Sequence, residues 1–132
     1  MKIAADTNVL LRLILADDDA QSRVAAKVLE DAELVAISVH TLCEMNWVLA
    51  LRYEMTRADI VAAIRSLMET RNVVVNRPAV EAGLAILEAG GDFADGAIAF
   101  DGQWLGGETF VSFDKKAVKL LKQAGTATML LR

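Results

Sequence analysis

The side chains of this sequence best equipped for chemistry are carboxylates, and they fall where structural elements meet. Asp6 closes the apolar run 2–5, and Asp114 closes the run 109–113. Both runs read as short buried strands. In a parallel sheet the carboxyl ends of strands share one edge, where open α/β folds bind their ligands. That places Asp6 and Asp114 at a common edge although the chain separates them widely. Glu44 lies near the start of the helix that follows a further strand-like run, 34–37, and can point toward the same edge. Asp95 falls in the first turn of another helix, three residues after Asp92, so those two share a helix face. Like charges brought together are costly: two carboxylates about 4 Å apart repel by roughly 4 kcal/mol at an effective dielectric of 20. Such a cluster raises a pKa or recruits a cation. An all-oxygen donor set selects Mg²⁺ or Mn²⁺ over zinc, and no Cys/His constellation competes with it.

Taken singly, the same residues have structural uses. Asp6 and Asp114 suit helix N-caps, and Asp92 and Asp95 are favourable charges at a helix N-terminus. Glu44, between Cys43 and Met45 in a helix apolar on most sides, sits either at the helix edge or against a partner. The sole histidine, His40, precedes Glu44 by one turn and reads as a surface group or a neighbour of the site. Cys43 reads as a small buried apolar side chain, since no base at motif spacing accompanies it.

The elements that must position these acids follow from apolar periodicity. Helices are expected at 8–16 and through 24–32, the latter with Val24, Val28, Leu29 and Ala32 facing the core. Ser38 caps a helix reaching residue 53. Thr56 with Asp59 opens a helix that buries Ile60, Ile64, Leu67 and Met68. Residues 73–75 form a third strand. Pro78 opens a helix with Val80, Leu84 and Leu87 inside, ended by Gly90-Gly91. Helices at 92–100 and 114–124 flank the strand 109–113, and 127–131 is a last strand. Strands separated by helices, without hairpin signals, give an α/β domain with a largely parallel sheet.

A chain of 132 residues points to one domain spanning residues 1–132. With 55% apolar and 24% charged residues and one proline, it is neither disordered nor of low complexity. Its charge-free stretches are too short to span a bilayer, so no membrane is expected. Asp6 and Arg12 interrupt what a signal peptide would need to keep apolar. A lone cysteine suits a reducing cytoplasm. The formal net charge of −4 is unlike a protein that holds nucleic acid by bulk charge, so any such partner requires a cation or local geometry. Phosphate-binding glycine loops and a nucleophile elbow are both missing, which argues against an NTPase, a dinucleotide enzyme or a serine hydrolase.

Four segments together resemble the PIN-domain ribonucleases, and within them the VapC-type toxins of type II toxin–antitoxin pairs. They are Asp6-Thr7-Asn8-Val9-Leu10-Leu11; Ser38 to Glu44 with Trp47-Val48-Leu49; Asp92-Phe93-Ala94-Asp95-Gly96-Ala97-Ile98-Ala99; and Phe113-Asp114-Lys115-Lys116. The likeness extends from residue 2 to about residue 130. It implies a PIN-like three-layer α/β/α fold around a central, mainly parallel sheet, with Asp6, Glu44, Asp95 and Asp114 as the catalytic acids. Asp92 matches a position that is often acidic but less central, and Thr7, Asn8 and Ser112 look like polar braces. Asp6 and Asp95 are the expected direct ligands of Mg²⁺ (or Mn²⁺), which activates water for attack on an RNA phosphodiester. The family implies a homodimer and a cognate antitoxin that plugs the acidic site, often with an arginine. The sequence departs from the pattern at Gly96, where a small alanine-like residue is usual. It departs again at 100–107, whose glycines are expected to shorten or loosen the helix.

Lys115, Lys116, Lys119 and Lys122 are either a solvated helix face or a phosphate-contacting surface, with Arg12 and Arg52 able to serve similarly. Trp47 and Trp104 are assigned to packing or an interface. A non-catalytic PIN-like module that binds RNA or protein is the alternative function. A phosphoacceptor receiver domain fits less well, because it needs an acidic pair after the first strand. A haloacid-dehalogenase-type phosphatase needs Asp where this chain has Asn8.

Overall fold

The computed structural model describes residues 1–132. The chain divides into two compact units, Met1–Asn76 and Arg77–Arg132. The first runs β1 (Lys2–Ala4), α1 (Thr7–Leu15), α2 (Asp19–Asp31), β2 (Leu34–Ala36), α3 (Val39–Leu51), α4 (Arg57–Glu69) and β3 (Val73–Val74). Its strands form a parallel sheet in the order β1-β2-β3, with Ile3 opposite Val35 and Ala36 opposite Val74. Parallel neighbours cannot be joined by a hairpin, and the helix pairs α1–α2 and α3–α4 supply the crossovers.

Side-chain oxygens fix where these helices begin. Ser38 Oγ accepts from the Thr41 N–H at 3.2 Å, and Thr56 Oγ1 accepts from the Asp59 N–H at 3.2 Å, each cap being worth about 1 kcal/mol. The buried face of α4 is Ile60, Ile64, Leu67 and Met68, as expected. On α2 the expectation holds for Leu29 and Ala32 and fails for Val24 and Val28. Val24 and Val28 are 64% and 42% exposed, while Ala25, Leu29 and the C-cap Ala32 are buried. Val24/Val28 and Ala25/Leu29 are adjacent stripes of equal helical period, so periodicity alone could not choose between them. Asn72 then ties the end of α2 to the third strand, its Nδ2 donating to the carbonyls of Leu29 (2.8 Å) and Ala32 (2.9 Å).

The second unit runs α5 (Arg77–Glu88), α6 (Phe93–Trp104), β4 (Thr109–Ser112), α7 (Lys115–Gln123) and β5 (Ala127–Leu130). β4 and β5 pair in parallel, Val111 opposite Met129, with α7 as their crossover. Ile86, Ala99, Leu120 and Leu121 form a core on which Phe110 packs. All strand pairing is therefore parallel and the fold is helix-rich α/β, as expected, with the hydrogen bonding distributed over a three-stranded and a two-stranded sheet.

Glycine decides how α5 and α6 meet. A Cβ on Gly96 would lie 2.2 Å from the Ala82 carbonyl oxygen, and one on Gly83 would lie 2.6 Å from the buried Phe93 ring. Gly96 is thus a requirement of the crossing. The expected shortening of the helix at 100–107 does not occur, since α6 continues through Gly102 to Trp104. It ends where the Leu105 N–H reaches the Asp101 and Gly102 carbonyls, the Gly107 N–H returns to the Gly102 carbonyl, and Gly106 adopts φ +103°. Left-handed glycine closing the last turn is a general way to stop a helix.

Candidate functional site

Asp6 and Asp114 occupy matching places, each following a strand and capping the next helix. Asp6 Oδ1 accepts from the Thr7 N–H at 2.8 Å. Asp114 Oδ1 accepts from the Lys116 and Ala117 N–H groups, both at 3.0 Å, and its own N–H donates to Ser112 Oγ at 2.9 Å. Ser112 thereby holds the Asp114 backbone amide and not its carboxylate. In both aspartates one oxygen is committed to the backbone, while Oδ2 has no protein partner and is open to a ligand. Capping and ligand binding use different oxygens of the same group. Thr7 is buried beside Asp6, whereas Asn8 is exposed.

Glu44 resolves to the helix edge. It is exposed on α3 in line with His40, Trp47 and Leu51, opposite the buried Leu42, Met45, Asn46 and Leu49. Of the two uses open to the tryptophans, packing or an interface, core packing is not what they do, because Trp47 is 60% and Trp104 77% exposed. The Trp104 ring lies 6.5 Å from the Phe100 ring between centroids. Cys43 is half-buried. Sequence reasoning passed over Asn46, a buried amide satisfied by donating to the Leu42 carbonyl at 3.1 Å. Its only signal was a polar residue on an otherwise apolar helical stripe.

In the second unit Asp92 caps α6 without a side-chain hydrogen bond, and Asp95 is half-buried in the first turn. Burial raises the Asp95 carboxyl above its ordinary value, and the charges of Asp92 and then Asp114 raise it further. These three carboxylates are therefore within electrostatic reach of one another. Asp6 and Glu44 belong to the first unit. Within either unit no three His, Cys, Asp or Glu side chains are grouped tightly enough to hold a metal by themselves. The donors are nonetheless of the right kind: carboxylate oxygens, with Asp92 and Asp114 within electrostatic reach of an Asp95 whose repulsion a hard cation would relieve.

Arg12 is ion-paired with Asp17 at 2.7 Å. Lys115, Lys116, Lys119, Lys122 and Arg52 are exposed. No helix is long and apolar enough to cross a membrane.

The sequence profile of the PIN domain family matches residues 3–122. That span holds every acid named above. No curated protein matches the chain.

Proposed function

Because the chain belongs to the PIN domain family, a nuclease fold, we propose that it is a divalent-metal-dependent ribonuclease acting through Asp6, Glu44, Asp95 and Asp114. The observation that carries this reading is Asp95: a half-buried carboxylate raised by its surroundings and by Asp92 and Asp114. Desolvated, mutually repelling acids are a cost to folding that a ligand-binding role explains. Both units serve one PIN domain in this reading, supported by a family match that runs across the boundary at residue 76.

In this reading Asp6 and Asp95 would hold Mg²⁺ or Mn²⁺, with Glu44 and Asp114 completing the set. Bound there, the ion would polarise a water for attack on the phosphodiester and neutralise the charge developing on phosphate oxygens. The protein's own part is orientation. The backbone N–H of Thr7 and those of Lys116 and Ala117 fix the carboxylate planes of Asp6 and Asp114, leaving each Oδ2 to face the ligand. Asp114 or Asp95 would orient the attacking water or take its proton.

The partners implied are an RNA substrate, an antitoxin whose arginine would pair with the crowded acids, and a second copy in a cytoplasmic homodimer. Purified protein incubated with a mixed RNA pool in Mg²⁺, Mn²⁺ or EDTA tests the core of this. Cleavage should require the metal and fall by at least about 100-fold in Asp6→Asn, the size of loss expected when one preorganised electrostatic group is removed. Cleavage unchanged in a folded Asp6→Asn protein would refute it.

A further inference from the structure

The chain is acidic overall, yet residues 115–132 carry five basic and no acidic side chains. Four of its six lysines stand in the nine residues of α7. Lys115, Lys119 and Lys122 recur at i, i+4 and i+7 and so share one face, opposite the buried Ala117, Val118, Leu120 and Leu121. All four lysines are exposed, and none has an acidic partner at ion-pair distance. Like charges at this spacing oppose helix formation, and a face needed only for solubility would intersperse glutamates. The stripe advances about 6 Å from Lys115 to Lys119 and about 4.5 Å from Lys119 to Lys122. Flexible lysine stems at these intervals reach successive phosphates of one strand.

At the head of the stripe stands Phe113, 71% exposed in the bend between β4 and α7. It is the immediate neighbour of Asp114. A lysine-lined surface headed by an open aromatic face matches the way proteins hold single strands, with backbone charges neutralised and a base stacked on the ring. Duplex bases hide their faces, so such a platform selects unpaired RNA.

We propose that α7 and Phe113 form a track for single-stranded RNA, with a base stacked on Phe113 and the adjoining phosphates held by Lys115, Lys119 and Lys122. Its use as the path to the acidic site rests on the nuclease reading, whereas the binding itself does not. The test is fluorescence anisotropy with a labelled 12-nucleotide single-stranded RNA in EDTA, titrated with salt. The slope of log K against log salt should fall by about 0.7 for each lysine removed, hence by about 1.4 in Lys119→Gln/Lys122→Gln. Phe113→Leu should weaken binding on the order of 10-fold at unchanged slope. Lys27→Gln, removing a lysine paired with Asp31 on α2, should change neither. An unchanged slope in the double variant overturns the track, as does equal affinity for a duplex of the same length. So does lysine-dependent binding of polyglutamate in place of RNA, which would assign the stripe to an acidic protein. RNA held through these residues but never cut in any divalent metal would defeat the nuclease reading and leave the track standing. Cleavage indifferent to these variants would leave the nuclease reading standing and defeat the track's use as the path to the acidic site.

Discussion

A carboxylate at the end of a strand is ambiguous as long as capping and ligand binding are treated as rivals. Asp114 shows that they are not, because Oδ1 alone satisfies two helix N–H groups. The sequence could name the acid and its place but not this division of labour between its oxygens. Asp95 differs, since what marks it is repulsion. Its carboxyl is raised in the folded state, so the folded protein binds the proton more tightly than the unfolded chain does. Its contribution to stability is full below the ordinary value of 3.8 and is lost as pH rises through the raised one. In EDTA, Asp95→Asn should therefore be more stable than the parent near neutrality, with the difference vanishing in acid. Urea unfolding across pH measures it, and a less stable variant at neutral pH would contradict the crowding. The exposed Trp47 and Trp104 were illegible at this scale, because residue type says nothing about which helix face meets solvent.

At the scale of elements, large aliphatic side chains at strict helical spacing were read correctly on α4, and on α5 for Val80, Leu84 and Leu87, beside which Ala79, Gly83 and Ile86 are buried as well. The two competing stripes of α2 defeated the same reasoning. The end of α6 was misread because a glycine inside a helix costs only about 1 kcal/mol, less than the packing and capping of this helix supply. The α5–α6 crossing carries the sharpest prediction. Gly96→Ala improves local helix propensity but drives a methyl against the Ala82 carbonyl, and backbone cannot yield as a side-chain tip can. Net destabilisation of about 1–3 kcal/mol is expected, read from the urea midpoint. Asp95 is the preceding residue, so RNA cleavage should fall with it even where the variant remains folded.

For the whole molecule, the α/β class with parallel pairing was legible in the alternation of strand-like and helical runs. The distribution of its strands over two sheets was not, since register between distant segments leaves no trace in local pattern. The net charge of −4 concealed opposite tendencies in different stretches of the chain. A cation bound only by the native state adds stability that grows with the logarithm of its concentration above the dissociation constant. Mg²⁺ at 100 times its dissociation constant should contribute about 2.7 kcal/mol, seen as a raised melting temperature that EDTA reverses. Asp6→Asn should blunt that response. A melting curve indifferent to Mg²⁺ and Mn²⁺ would count against a metal site of any useful affinity.

The anchoring of Asp114 also bears on motion. A surface aspartate ordinarily samples several rotamers, and binding must freeze it at an entropic cost. Here two backbone bonds, with Ser112 holding the amide behind them, have already removed that freedom before any ligand arrives. The acid is therefore a stationary arm whose strength lies in what it no longer has to lose. Lengthening it by one methylene in Asp114→Glu keeps the charge but restores the wandering. That substitution should weaken Mg²⁺ binding nearly as much as Asp114→Asn, a comparison that calorimetry can make directly.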